Sequence, residues 1–186
     1  LNSMEIFMNK ILNTVTAIAL SFAAHGALAD SVTVDAETTV TATALHVSTS
    51  GTLHFGSFEI TNAAATGTIR LRRSSQPDAQ LTGAVYNGGY SRAHVNVTGT
   101  GDAPLTVTCS TSATLAHDTD SSNVMSVSDV TFNGVPCTGA ISTVIGTDGT
   151  NEFEVLGTLN VENPKVGAYS TANAGGTPIT VDIVYQ

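Results

Sequence analysis

Tryptophan is missing from this 186-residue chain, and charge is scarce, with Asp, Glu, Lys and Arg making up only 11% of the residues. Six Lys and Arg stand against fifteen Asp and Glu, for a formal net charge of −9. A chain this acidic is poorly matched to the phosphate backbone of nucleic acid or to an anionic membrane surface. No apolar run is long enough to span a bilayer. The best, residues 11–24, is short and carries Asn13, Thr14, Thr16 and Ser21. No segment has the pattern of a long helix. There is no CxxC, no HExxH and no G-x-S-x-G, and His46, His54, His94 and His117 are scattered. Asp118 and Asp120 in "HDTDSSN" resemble a fragment of a calcium loop, but the Gly and downstream Glu of such a loop are lacking, so the string reads as a solvated loop. The expectation is a non-enzyme with no catalytic, cofactor or metal site.

What is present begins with an export signal. Met8-Asn9-Lys10 is a short basic start, residues 11–24 are mostly apolar, and Ala27-Leu28-Ala29 is a small-x-small cleavage site before Asp30. Residues 1–29 read as a signal peptide, with Met8 as the start and residues 1–7 as upstream extension. The mature part then has 157 residues, enough for one domain with a real core. Cys109 and Cys137, 28 residues apart, form an even pair in an exported chain, which reads as a disulfide; two free thiols or half a metal site is the alternative.

Thr and Val suit a pleated, half-buried surface, and Gly suits turns. Turn signals recur about every ten residues, among them Ser50-Gly51, Asn87-Gly88-Gly89, Asn133-Gly134 and Asn163-Pro164-Lys165. Short alternating runs lie between them: 53–58, 67–71, 93–97, 105–109, 127–132, 152–161 and 179–185. Many short strands at this spacing predict an all-β chain, an immunoglobulin-like β-sandwich. Arg70, Arg72 and Arg73, the only basic cluster, read as a solvated guard on a strand edge.

Two features do not fit a self-contained sandwich. From Val32 to Ala44 the even positions are Val32, Val34, Ala36, Thr38, Val40, Ala42 and Ala44, and the odd positions between them are polar. Strands usually run about five or six residues, and this pattern is more than twice that. The second feature is the last strand, whose Ile179, Val181, Ile183 and Tyr185 share one face and which runs to Gln186. One idea covers both: the sandwich lacks a strand, and the N-terminal segment of another copy supplies it by strand addition. The donor face would be Val32, Val34, Ala36, Val40, Ala42 and Ala44. The acceptor edge would carry Ile179, Val181, Ile183 and Tyr185. A heterologous contact of this kind propagates into a filament. On this reading residues 30–48 are the donor segment and 49–186 the domain. The alternative is that 31–47 is simply the first strand of its own domain.

The strings "HFGSF" (54–58), "VNVTGTGDAPLTVTC" (95–109), "FEVLGTLNV" (153–161), "GAYS" (167–170) and "ITVDIVYQ" (179–186) resemble a family of exported Ig-like proteins of Gram-negative bacteria, of uncharacterised function, itself similar to chaperone–usher fimbrial subunits. The likeness to fimbrial subunits rests on the alternating N-terminal extension and on Tyr185 at the penultimate position of an alternating last strand. Where such subunits carry a Gly about fourteen residues from the end, this chain has Asn173, with Gly175 and Gly176 close behind. The resemblance implies a pilin subunit, exported through the periplasm to the cell surface as part of a fimbrium, that serves adhesion or biofilm formation. It implies copies of itself, a periplasmic chaperone and an outer-membrane usher as partners. A free carboxylate at Gln186 would anchor the chaperone. The competing function is a self-complete secreted or outer-surface Ig-like domain that binds a ligand.

Overall fold

Residue 157 is a glycine at the middle of the longest strand, and the fold is organised around that strand. The structure, a computed structural model, describes Thr38, Thr41 and residues 43–186. Among the described residues there is no helix, and every strand pairing is antiparallel. The large sheet comprises β1 (His46–Ser50), β3 (Thr66–Arg70), β4 (Asp78–Thr82), β6 (Ala93–Thr98), β8 (Ala113–His117), β9 (Val124–Phe132), β10 (Val135–Pro136), β12 (Thr150–Glu162) and β13 (Tyr169–Ser170). A three-stranded sheet has the order β11 (Ile141–Val144), β7 (Pro104–Cys109), β14 (Val181–Tyr185). A third pairs β2 (Ser57–Ile60) with β5 (Ala84–Gly88). The result is an all-β sandwich, as the sequence predicts.

β12 is long because it serves two neighbours along one edge. Residues 150–155 pair with β6, and residues 158–162 pair with β3. Its other edge pairs with β9, with the register shifting between Leu156 and Thr158. There β9 carries an extra residue, Asp129, whose φ of 50° marks the bulge. The Leu71 N–H donates to the Gly157 carbonyl at 3.1 Å and bridges the gap between the two neighbours.

The alternating side chains fill one core. Val95 and Val97 of β6, Leu105 and Val107 of β7, Val127 and Phe132 of β9, and Phe153, Leu159 and Val161 of β12 are all buried. The rings of Phe132 and Phe153 lie 4.8 Å apart, tilted by 37°. Asn133 and Gly134, at φ of 50° and 83°, make the two-residue hairpin turn between β9 and β10 that Asn-Gly favours. Cys109 and Cys137 are joined in a disulfide, with Cα atoms 5.3 Å apart, so the pairing read from the sequence is present.

The arginines do not guard an edge. β3 is covered by β12 on one side and by β4 on the other, and Arg72 and Arg73 lie beyond it in the turn leading to β4. The Asp118–Asn123 loop is pinned rather than simply solvated. Lys165 Nζ lies 2.5 Å from Asp120 Oδ2, and the Ser122 N–H and hydroxyl donate to Asp120 Oδ1 at 3.1 and 2.6 Å. The hydrogen bond from Lys165, then those from Ser122, hold the Asp120 carboxyl far below its ordinary value, and Asp120 in turn raises Lys165. A depressed carboxyl contributes stability above its unfolded-state pKa, near 3.8, and loses it as pH falls through the folded value. Asp120→Asn should therefore lower the melting temperature at pH 7. The gap to the native chain should close as pH falls below about 4, which a series of thermal melts would read.

Candidate assembly edge

β14 forms because β-branched and aromatic side chains alternate with polar ones from Ile179 onward. Its register on β7 sets Val181 opposite Cys109, Ile183 opposite Val107 and Tyr185 opposite Leu105. Both ends are clasped. At the start, the Ser110 N–H donates to the Thr180 carbonyl at 2.9 Å, and the Thr180 N–H donates to Ser110 Oγ at 2.9 Å. At the finish, the Gln186 N–H donates to the Pro104 carbonyl at 3.1 Å, and Gln186 Nε2 to Ser142 Oγ of β11 at 3.1 Å.

These bonds fix which way the backbone faces. Even-numbered residues turn their amides and carbonyls toward β7. Alternation then turns those of Val181, Ile183 and Tyr185 to the opposite edge. Among the described residues no strand pairs with that edge. The side chains of the same residues face the core. Ile183 is buried, and Ile179, Val181 and Tyr185 are half-buried against the core cluster.

Tyr185 also ties the start of the domain to its end. Its hydroxyl accepts the Thr100 N–H at 2.9 Å and donates to the Thr43 carbonyl at 2.7 Å, while the Thr43 N–H donates to Thr100 Oγ1 at 2.7 Å. Gly99 leaves room for this: a Cβ there would lie 2.2 Å from the Tyr185 hydroxyl. The chain at residue 43 is therefore held beside the last residues of β14, a link between distant positions that alternation does not signal.

A second open feature lies along β2, whose pairing among the described residues is with β5 alone. A groove of about 770 Å³ is lined there by Phe55, Phe58 and Ile60, by Leu115, Met125 and Leu159 of the large sheet, and by the Lys165–Tyr169 segment. Burial raises the Tyr169 phenol above its ordinary value. The His117 ring meets Tyr169 edge-on with centroids 5.0 Å apart.

Of the proposed donor residues, Val32, Val34, Ala36, Val40 and Ala42 lie outside the described residues, as does the signal-peptide reading of 1–29. Ala44 is exposed and outside any strand. β1 then runs across residue 48, where the sequence reading divides segment from domain, and all five of its residues pair with β6. The compact unit starts at Thr41. Among the described residues, no three His, Cys, Asp or Glu side chains stand close enough to hold a metal ion, and no helix is long and apolar enough to cross a membrane.

Comparison with curated proteins finds no match. Comparison with solved structures finds none either. Residues 45–185 match a family described as a domain of unknown function, DUF4402, from the first residue before β1 to the last residue of β14. The chain belongs to the DUF4402 family.

Proposed function

We propose that this protein is a structural, non-catalytic subunit of a surface fimbria, polymerised by donor-strand exchange and supporting adhesion or biofilm cohesion. The observation that carries the proposal is the edge of β14 that faces away from β7, which no other strand pairs with among the described residues. It offers main-chain groups at Val181, Ile183 and Tyr185 beside apolar side chains, and the alternating 32–44 segment has the pattern of a strand that could fill it. The segment's main-chain bonds would give affinity, and its Val and Ala side chains would give register. The groove along β2, open among the described residues, provides further surface for such a strand. The subunit would pass through the periplasm to the cell surface, and its partners would be copies of itself, a chaperone that covers the edge before assembly, and an usher.

The competing reading is a self-complete ligand-binding domain. The pairing of β1 along β6 favours it, because that edge is already occupied from within the chain. An SDS gel of the exported protein, co-expressed with a periplasmic chaperone and loaded with and without boiling, separates the two. A ladder that collapses on boiling, and is lost in the Val34→Asp, Val40→Asp variant, is the outcome for a donor-strand polymer. A single monomer band from a protein folded by circular dichroism would overturn the proposal.

A further inference from the structure

The chain has four arginines, and all of them stand around one turn of a protein whose formal charge is −9. Two of them build the turn. Arg92 donates through Nε and Nη2 to the Arg72 carbonyl at 3.0 and 2.7 Å, and through Nη2 to the Ser75 carbonyl at 2.9 Å. Its Nε also lies 3.2 Å from Glu154. Arg72 pairs with Asp78 at 2.6 Å. The other two are not committed in this way. Arg70 has no ion pair among the described residues. Arg73 Nε lies 3.9 Å from Glu154 Oε2, beyond hydrogen-bond distance, while Arg92 engages the other oxygen, Oε1, at 3.2 Å.

Strand register places a hydroxyl beside one of these cations, Arg70. Arg70 of β3 is opposite Thr158 of β12, and Thr158 is opposite Ser128 of β9, so the three project from one face of the sheet. The next residue, Asp129, is the one thrown out by the bulge. Between the bulge and the Arg70–Ser75 turn lies a pocket of about 360 Å³. Thr158 lines it, is only 6% exposed, and has a buried Oγ1 with no hydrogen-bond partner. Buried hydroxyls without partners are uncommon, and a ligand group is one way to satisfy one. A second pocket of about 460 Å³ shares Arg70, Asp129 and Thr131 and extends the first toward Thr138.

The donor set selects a ligand class. Two guanidinium groups favour a carboxylate. Asp129 opposes a compact multivalent anion but accepts hydroxyl donors. Uronic acid sugars combine one carboxylate with several hydroxyls in each unit, and two adjoining pockets suit more than one unit. We propose that this cleft binds an acidic oligosaccharide of uronic acid residues, with its carboxylates on Arg70 and Arg73 and its hydroxyls on Asp129 and Thr158. The site lies on the β3, β12 and β9 face and does not depend on the assembly reading.

Calorimetric titration of the whole protein with trigalacturonate, maltotriose and sodium sulfate tests it. The expected result is saturable binding of trigalacturonate, none of maltotriose, and no displacement by sulfate at equal concentration. The Arg70→Gln, Arg73→Gln variant should bind more weakly by about tenfold for each arginine, while remaining folded by circular dichroism. The single Arg73→Gln variant alters a side chain 62% exposed and should show the tenfold step, with a thermal melt confirming that the fold is kept. No saturable binding by the native protein, equal binding of maltotriose, displacement by sulfate, or unchanged affinity in Arg73→Gln would each overturn the proposal.

Discussion

The double replacement Cys109→Ser, Cys137→Ser is expected to lower the free energy of unfolding by about 3 to 4 kcal/mol. The bond closes a loop of 28 residues, and a loop of that length restricts the unfolded chain by about this much in the chain-entropy model. Its position adds a local consequence. Cys109 ends β7, directly opposite Val181, and β7 is the strand on which β14 rests. Cys137 is buried, and its N–H donates to the Val130 carbonyl at 2.9 Å, beside the bulge of β9. The bridge therefore fastens the three-stranded sheet to the large one. Without it, β14, paired among the described residues with β7 alone, should fray first. Urea unfolding of the oxidised protein and the double variant measures the difference. A loss below about 1 kcal/mol would mean that sheet packing alone holds β7 in place.

Phe132→Ala should cost about 3 to 5 kcal/mol. The side chain is 1% exposed and meets the Phe153 ring at 4.8 Å. Its strand position lies between Val155 of β12 and Val135 of β10. The surroundings therefore cannot collapse into the space left behind, and the cavity term adds to the lost burial. Chemical denaturation with an unchanged slope would read this directly. A cost of less than about 1 kcal/mol would contradict the assignment of this residue to the core.

The sequence was most legible where alternation was strict and the burial one-sided. The runs 93–97, 105–109, 127–132 and 152–161 all fall within strands, and their apolar positions face the core. β4, β8 and β11 carry weaker signals: Asp78–Thr82 holds two apolar residues among polar ones, Ile141–Val144 has its apolar residues three apart, which breaks alternation, and Ala113–His117 is buried on both faces, which erases the period of two. The 53–58 run was only partly strand: β2 begins at Ser57, and His54 contributes an isolated bridge to Ser91. The bulge at Asp129 is left-handed without glycine; Asp adopts that conformation more readily than most residues, but a single Asp within an alternating run does not mark a bulge.

The candidate sites show the same division. The face of β14 follows from four alternating residues. That its outer edge is unpaired among the described residues does not, because openness is a property of pairing across the whole chain. The arginines were visible as a cluster. Their company, Thr158 and Asp129, depends on the registers of β3 on β12 and of β12 on β9, where Arg70 meets Thr158 and Thr158 meets Ser128, which no local pattern encodes.

Amide hydrogen exchange along β14 tests the account most directly. In the isolated subunit, the amides of Asp182 and Val184 should be protected by β7, while those of Val181, Ile183 and Tyr185 should exchange quickly. On assembly, these three should become protected as the donated strand pairs with them. Equal protection of odd and even amides in the isolated subunit, or no gain at Val181, Ile183 and Tyr185 on assembly, would contradict the claim that this edge receives a strand from another copy.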